Sequence, residues 1–320
     1  MSLALLFSPQ GSQAVGMGRD LAASSAAARA VFEAADAALG WSVSTTCWEG
    51  PEERLHDTRQ TQPCLVATSV ACLAALRDEV PQLRPAFVAG HSVGEYAALV
   101  AAEVLDLTDS LRLVSRRAEL MAAKSEGGGM AAVIGLDREV VEAAIEQVAS
   151  PTDLVVANDN APGQVVISGA LQALIAAEEA LRGVGARRVI RLSVSGPFHS
   201  ARMADVTDAL ADAFDEMVWA DARVPMVSNV TAEPETDAAR LRNLLAEQVR
   251  SPVEWVASVR RMHDQGVNLF IECGPGSALT GMVRRIAPEA RVASVSDPVS
   301  LEATLEALGT PAGAGAGAST

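Results

Sequence analysis

A serine set between two glycines, in the run Gly90, His91, Ser92, Val93 and Gly94, is the first place in this sequence where residue type and spacing point to covalent chemistry. The apolar run Ala86 to Ala89 precedes it, and a helix-prone stretch from Glu95 to Glu103 follows. A serine between a strand and a helix N-terminus sits on a tight turn with its hydroxyl exposed, the geometry of an acyl-transfer nucleophile. The flanking glycines leave room for the chain to double back and for a substrate to approach. The Val93 amide then faces the place where a tetrahedral oxyanion would form, at the positive end of the helix dipole. The same five letters also occur by chance in loops rich in glycine and serine.

A serine nucleophile needs a base, and the chain offers four histidines. His91 adjoins Ser92 on one turn, where neighbouring side chains diverge, and His56 lies in a charged stretch. His263 falls on a helical stretch beside Arg260, Arg261 and Asp264. His199, in SGPFHS, is the remaining candidate; its other role would be to cap the helix that starts near Ala201. Two more residues are out of place on their helices. At about 100° per residue, Arg117 falls between Leu113 and Met121 inside the apolar half of a helix from Asp109 to Lys124. A buried guanidinium needs an anion, either an internal carboxylate or a carboxylate on a substrate. Gln248 projects with Leu241, Leu244 and Leu245 from a helix over Ala238 to Val249, so its amide is buried too. It would either orient a histidine or bond nearby backbone.

The elements that must position these groups follow two rhythms. Strand-like runs at Leu3 to Phe7, Ala86 to Gly90, Val224 to Asn229, Leu269 to Cys273 and Arg291 to Val295 alternate with helical segments, which predicts a parallel sheet covered on both faces. Between them the order changes. Strands at Met130 to Leu136, Leu154 to Asn158, Gln164 to Ser168 and Arg187 to Val194, with helices at Asp137 to Val148 and Leu171 to Val184, spell β-α-β-β-α-β, the ferredoxin-like split unit. The expected organisation is a large α/β domain over 1–126 and 197–308, an inserted small domain over 127–196, and a flexible Ala/Gly tail over 309–320. Because His199 lies where the insertion returns, a cleft is expected between the two domains.

Composition narrows the function classes. With 320 residues, 49% of them hydrophobic, the chain can bury a full core. Its 25 Lys plus Arg against 40 Asp plus Glu give a net charge of -15, which argues against nucleic acid or an anionic membrane surface as a partner. An anionic ligand must then meet local arginines, with Arg187, Arg188 and Arg191 or Arg284 and Arg285 as candidates. The four cysteines have neither disulfide nor metal spacing and read as free thiols in a reducing compartment. No apolar stretch approaches the roughly 18 residues of a membrane span, and no signal peptide is evident at the N-terminus, so a soluble cytoplasmic protein is expected. No glycine cluster is followed by Lys-Ser or Lys-Thr, which sets a P-loop aside.

Taken in order along the chain, these motifs resemble the malonyl-CoA:acyl carrier protein transacylase family from Leu3 to about Ile286. The family opens with a strand and FPGQGSQ; here Phe7 to Gln13 read FSPQGSQ, with Ser8 and Pro9 departing from the pattern. The TQP of Thr61 to Pro63, GHSVGEY, Arg117 in RRAELM, NAPGQVVISG from Asn160, GPFHS, QVRSPVEW from Gln248 and GPG at Gly274 to Gly276 also match. The resemblance implies an α/β-hydrolase-like large domain with a ferredoxin-like insertion. It implies Ser92 as nucleophile, His199 as base, Gln248 orienting His199 through its amide oxygen, and the amides of Gln10 and Val93 as oxyanion hole. Arg117 would bind the free malonyl carboxylate, Phe198 before the histidine accompanies malonyl use, and Gln62 and Asn160 would join the substrate site. The implied partners are malonyl-CoA and acyl carrier protein, whose phosphopantetheine brings the accepting thiol; no cofactor or metal of its own is required, and a monomer is expected. Supply of fatty acid synthesis is the main expectation, with a discrete acyltransferase serving a polyketide synthase as the alternative. An esterase or thioesterase would share the elbow but have no use for a buried Arg117. A non-catalytic scaffold would not need nucleophile, base and clamp together.

Overall fold

The computed structural model describes residues 2–124, 126–194 and 196–309. Its strands, in chain order, are β1 (Leu3–Phe7), β2 (Phe87–Gly90), β3 (Gly128–Ile134), β4 (Leu154–Ala161), β5 (Gln164–Ala170), β6 (Arg188–Arg191), β7 (Met226–Val227), β8 (Pro234–Glu235), β9 (Leu269–Cys273) and β10 (Arg291–Val295). They form two sheets. The larger runs β10-β9-β1-β2-β7-β8 and the smaller β4-β5-β3-β6.

In the larger sheet β1 lies between β9 and β2, with Leu5 opposite Ile271 on one side and Val88 on the other, all parallel. Every residue of β1 is buried, as its unbroken apolar run LALLF requires of a strand covered on both faces. Leu3, Leu5 and Phe7 face one core with the helix Thr58–Glu79, while Ala4 and Leu6 face another with Trp255, Val259 and Leu279. The period of two along a strand makes this division. The fully parallel sheet expected from sequence is instead mixed, because β8 pairs antiparallel with β7 at the edge. β8 is two half-buried residues, too short to carry an alternating pattern. The run from Val224 to Asn229 likewise contributes only Met226–Val227 to the sheet.

All four strands of the smaller sheet are antiparallel to their neighbours. One face packs Ala131, Val133, Val165 and Ile167 against helices Arg138–Ile145 and Leu171–Gly183. The other face carries Met130 and Val166 into the core of the larger unit, so the small sheet roofs the C-terminal ends of β1 and β2. The Ala/Gly tail over 310–320 lies outside the described residues. Among the described residues no helix is long and apolar enough to cross a membrane, and all four cysteines are buried and unpaired.

Candidate active site

β2 ends at Gly90 and the helix Gly94–Ala101 begins four residues later. A Cβ on Gly90 would lie 1.9 Å from the Gly94 carbonyl carbon, and one on Gly94 would lie 2.2 Å from Phe7 O. Both glycines are therefore fixed by backbone packed against backbone, and the room expected there for substrate is already filled. The turn forces Ser92 into the left-handed region at φ 52, which a residue with a Cβ adopts only when its surroundings hold it. Asn229, just past β7, does the holding. Its Oδ1 accepts from Ser92 N at 2.7 Å, and its Nδ2 donates to Gly90 O at 2.7 Å.

His199 comes from the loop that follows β6 and also has a positive φ of 58. Its amide donates to Val249 O at 2.9 Å. Its Nδ1–H donates to the main-chain oxygens of Gln248 and Ser251 at 2.8 and 3.2 Å. That choice of partners leaves Nε2 as the acceptor, 2.7 Å from Ser92 Oγ. Burial, with the Arg117 charge added, pushes the imidazole down to about 3, so it stays neutral and able to take a proton. The amide oxygen of Gln248 does not orient His199, contrary to the expectation from the family resemblance. The main chain does so, because the side-chain amide is committed elsewhere.

Arg117, in the helix Leu107–Ala123, is 1% exposed. Its Nη1 donates to Gln62 Oε1 at 2.6 Å, and its Nη2 donates to Gln248 Oε1 at 2.9 Å and to Ser92 Oγ at 3.0 Å. The Tyr96 ring lies 5.9 Å from the guanidinium carbon, and Nε is buried with no partner. These hydrogen-bond partners are all neutral, although sequence reasoning demanded an anion. The guanidinium is thus desolvated and its charge only partly answered, beside the nucleophile.

Ser92, His199, Arg117, Phe198 and Gln10 line one cleft of about 300 Å³, with Met121, Met130, Leu192 and Val194 as its apolar walls. Met130 of β3 and Asn158 of β4 line it from the smaller sheet, and Gln10 and Ser92 from the loops that follow β1 and β2 of the larger one. The Gln10 side chain donates from Nε2 to Thr58 Oγ1 at 3.0 Å. Val93 lies at the N-terminus of the helix Gly94–Ala101. Two residues expected at the substrate stand one step back. Gln62 is wholly buried behind Arg117, and Asn160 Oδ1 meets His91 Nε2 at 2.8 Å; neither lines the cleft. His91 is thereby turned away from Ser92, and burial lowers it to about 4. His56 sits on the rim with Nδ1 donating to Glu52 O, and His263 pairs with Glu289 far from the serine.

Sequence reasoning missed Glu95 and Asn229. Glu95 had a signal, a lone carboxylate at the start of an otherwise apolar helix; Asn229 had none, since its contacts lie 137 and 139 residues away.

The acyl transferase domain family matches residues 4–301. The malonyl CoA-acyl carrier protein transacylase of Bacillus subtilis is 40% identical over 309 residues, covering 96% of this chain and 97% of that protein. The protein of the same name from Escherichia coli K12 is 41% identical over 305 residues, with 95% and 98% covered. Among solved structures, an acyl carrier protein S-malonyltransferase from Vibrio cholerae superposes with a TM-score of 0.91 at 38% identity, covering 95% of this chain and all of that one. A malonyl-transacylase in complex with a type II polyketide synthase acyl-carrier protein gives 0.92 at 38% identity, covering 96% and 100%.

Proposed function

The chain belongs to the acyl transferase domain family, among its malonyl-CoA:acyl carrier protein transacylases, and from that membership we propose that it moves malonyl groups from coenzyme A to acyl carrier protein for fatty acid synthesis. The observation that carries this is the placement of Ser92 Oγ between His199 Nε2 at 2.7 Å and Arg117 Nη2 at 3.0 Å. A base and a carboxylate-binding cation meet at one nucleophile.

The reaction runs in two halves. As Ser92 Oγ attacks the thioester carbonyl carbon, its proton passes to His199 Nε2, and the oxyanion is held by the Gln10 and Val93 amides. One such donor is typically worth ~2.7 to 4 kcal/mol. Collapse expels the coenzyme A thiolate, which takes the proton from His199, and leaves a malonyl-serine ester. The carrier's phosphopantetheine thiol then gives its proton to His199 and attacks the ester. The second collapse restores Ser92 Oγ and returns the proton to it. Arg117 exchanges its bond to Ser92 for two parallel bonds to the malonyl carboxylate. The protein supplies no metal or redox cofactor to any step.

We read the larger unit, over 1–126 and 197–308, as α/β-hydrolase-like and the insertion over 127–196 as ferredoxin-like; the β4-β5-β3-β6 order supports the latter. The protein acts as a cytoplasmic monomer. The acidic carrier docks on Arg187, Arg188 and Arg191, since β6 leads directly into Leu192 and Val194 of the cleft wall, whereas Arg285 is engaged with Gln164. Mass spectrometry after mixing with malonyl-CoA tests the reaction. A malonyl adduct on Ser92 that discharges onto carrier thiol, absent in Ser92→Ala, is expected. Rapid release of free malonate would indicate a thioesterase, and no adduct would refute transfer.

A further inference from the structure

Glu95 is 2% exposed, and both of its carboxylate oxygens are occupied by N–H donors. Oε1 accepts from the main-chain N–H of Asn229 at 2.7 Å, and Oε2 accepts from Gln248 Nε2 at 2.5 Å. The second Gln248 Nε2 proton goes to Ser92 O at 2.8 Å. Gln248 Oε1 faces the other way, accepting from Arg117 Nη2. Only one orientation of this amide satisfies all three of its partners, the Glu95 carboxylate, Ser92 O and the Arg117 guanidinium. A flipped amide would set its oxygen against the carboxylate and its NH₂ against the guanidinium.

On the malonyl-transfer reading of the site, we infer that Glu95 is a positioning residue whose carboxylate, relayed through the Gln248 amide, is the buried counter-charge that keeps Arg117 aimed at the acyl carboxylate. Arg117 has only neutral hydrogen-bond partners, so a carboxylate one amide away offsets its charge without occupying the face that substrate must take. A directly paired Asp or Glu would fill that face and compete with malonyl. The relay therefore leaves the cation available and still partly neutralised in a site where an isolated charge is costly. The ionised form fits the geometry, because a protonated oxygen would point its hydrogen at a donor. Burial pushes the acid up to about 7, while the Asn229 amide, the Gln248 amide and Arg117 act to lower it. The relay also ties the Arg117 clamp to the serine turn, since Asn229 and Ser92 O hang on the same pair of side chains.

Glu95→Gln keeps the shape and removes the charge, and its one acceptor oxygen cannot serve both Asn229 N and Gln248 Nε2. At pH 8, kcat/KM for malonyl transfer should fall roughly tenfold to a hundredfold, the usual size for a lost bond to a charged group. Residual acetyl transfer in an Arg117→Ala background should change by less than about threefold when Glu95→Gln is added, because the relay then has no target. Gln248→Met cuts the relay with Glu95 intact and should reproduce the malonyl-selective loss; it serves also if Glu95→Gln fails to fold by circular dichroism. Equal losses for malonyl and acetyl, or equal factors with and without Arg117, would overturn the positioning role. Failure of the wild-type protein to form malonyl-Ser92 would instead overturn the transfer reaction itself.

Discussion

The Arg117 guanidinium donates to Ser92 Oγ at 3.0 Å, so the cation proposed to grip the substrate rests on the nucleophile before substrate arrives. Malonyl binding must exchange that bond for the carboxylate, while an acetyl group brings nothing to exchange for it.

From this follows a divergence between two thioesters. Arg117→Ala should lower kcat/KM for malonyl-CoA by at least about a hundredfold and leave acetyl-CoA within about tenfold, because only the malonyl transition state loses a charged partner. The melting temperature, measured alongside, should fall modestly, as Gln62 and Gln248 lose a donor but a poorly answered buried charge goes too. Parallel losses in both activities with a large drop in melting temperature would make Arg117 a structural residue.

Phe198 is buried in the cleft wall next to the base. Phe198→Ser opens space where the C2 carbon of the acyl group passes, and should shift methylmalonyl relative to malonyl transfer by about 1 to 3 kcal/mol. The measurement is the ratio of the two kcat/KM values, and an unchanged ratio would place selection elsewhere.

The pH behaviour separates His199 from Glu95. Because His199 titrates at about 3, the base is neutral from pH 5 upward and gives no limb near its ordinary value of 6.5. A fall in malonyl kcat/KM as pH drops through about 7 belongs to Glu95, which faces Gln248 and Asn229 and, with Tyr96 and His199, lies in the field of the Arg117 charge. The limb should vanish in Glu95→Gln; its persistence would assign it to another group. Stability moves with opposite signs. His91 and His199 are depressed on folding, so their contribution is present above about 6.5 and lost as pH falls toward 3 to 4. Glu95 is raised, so its contribution is present below the ordinary carboxylate value and lost as pH rises through about 7.

Asn229 holds the strained turn by both ends of its amide. Asn229→Ala strands two backbone groups in a buried place, at about 1 to 3 kcal/mol each. Urea unfolding should show that loss together with slower Ser92 acylation. Unchanged stability with unchanged acylation would mean that the glycine packing alone sets the turn.

Much of this was legible along the chain. Local periodicity predicted β1, β9 and β10 at their observed bounds, and the strand-turn-helix punctuation around Ser92 marked the elbow. The i, i+4 arithmetic that put Arg117 among Leu113 and Met121 was sound, since helix geometry is a property of neighbouring residues. What neighbours do not encode is which distant polar atoms meet. Periodicity buried Arg117 and Gln248 separately but could not pair them with each other, and no spacing showed that a main-chain carbonyl, not the Gln248 amide, orients His199. β8 escaped because two residues carry no period. Glu95, Asn229 and Gln248 meet across 134 and 153 residues of chain, so their network exists only once distant segments of the larger unit have packed and each buried donor has had to find an acceptor.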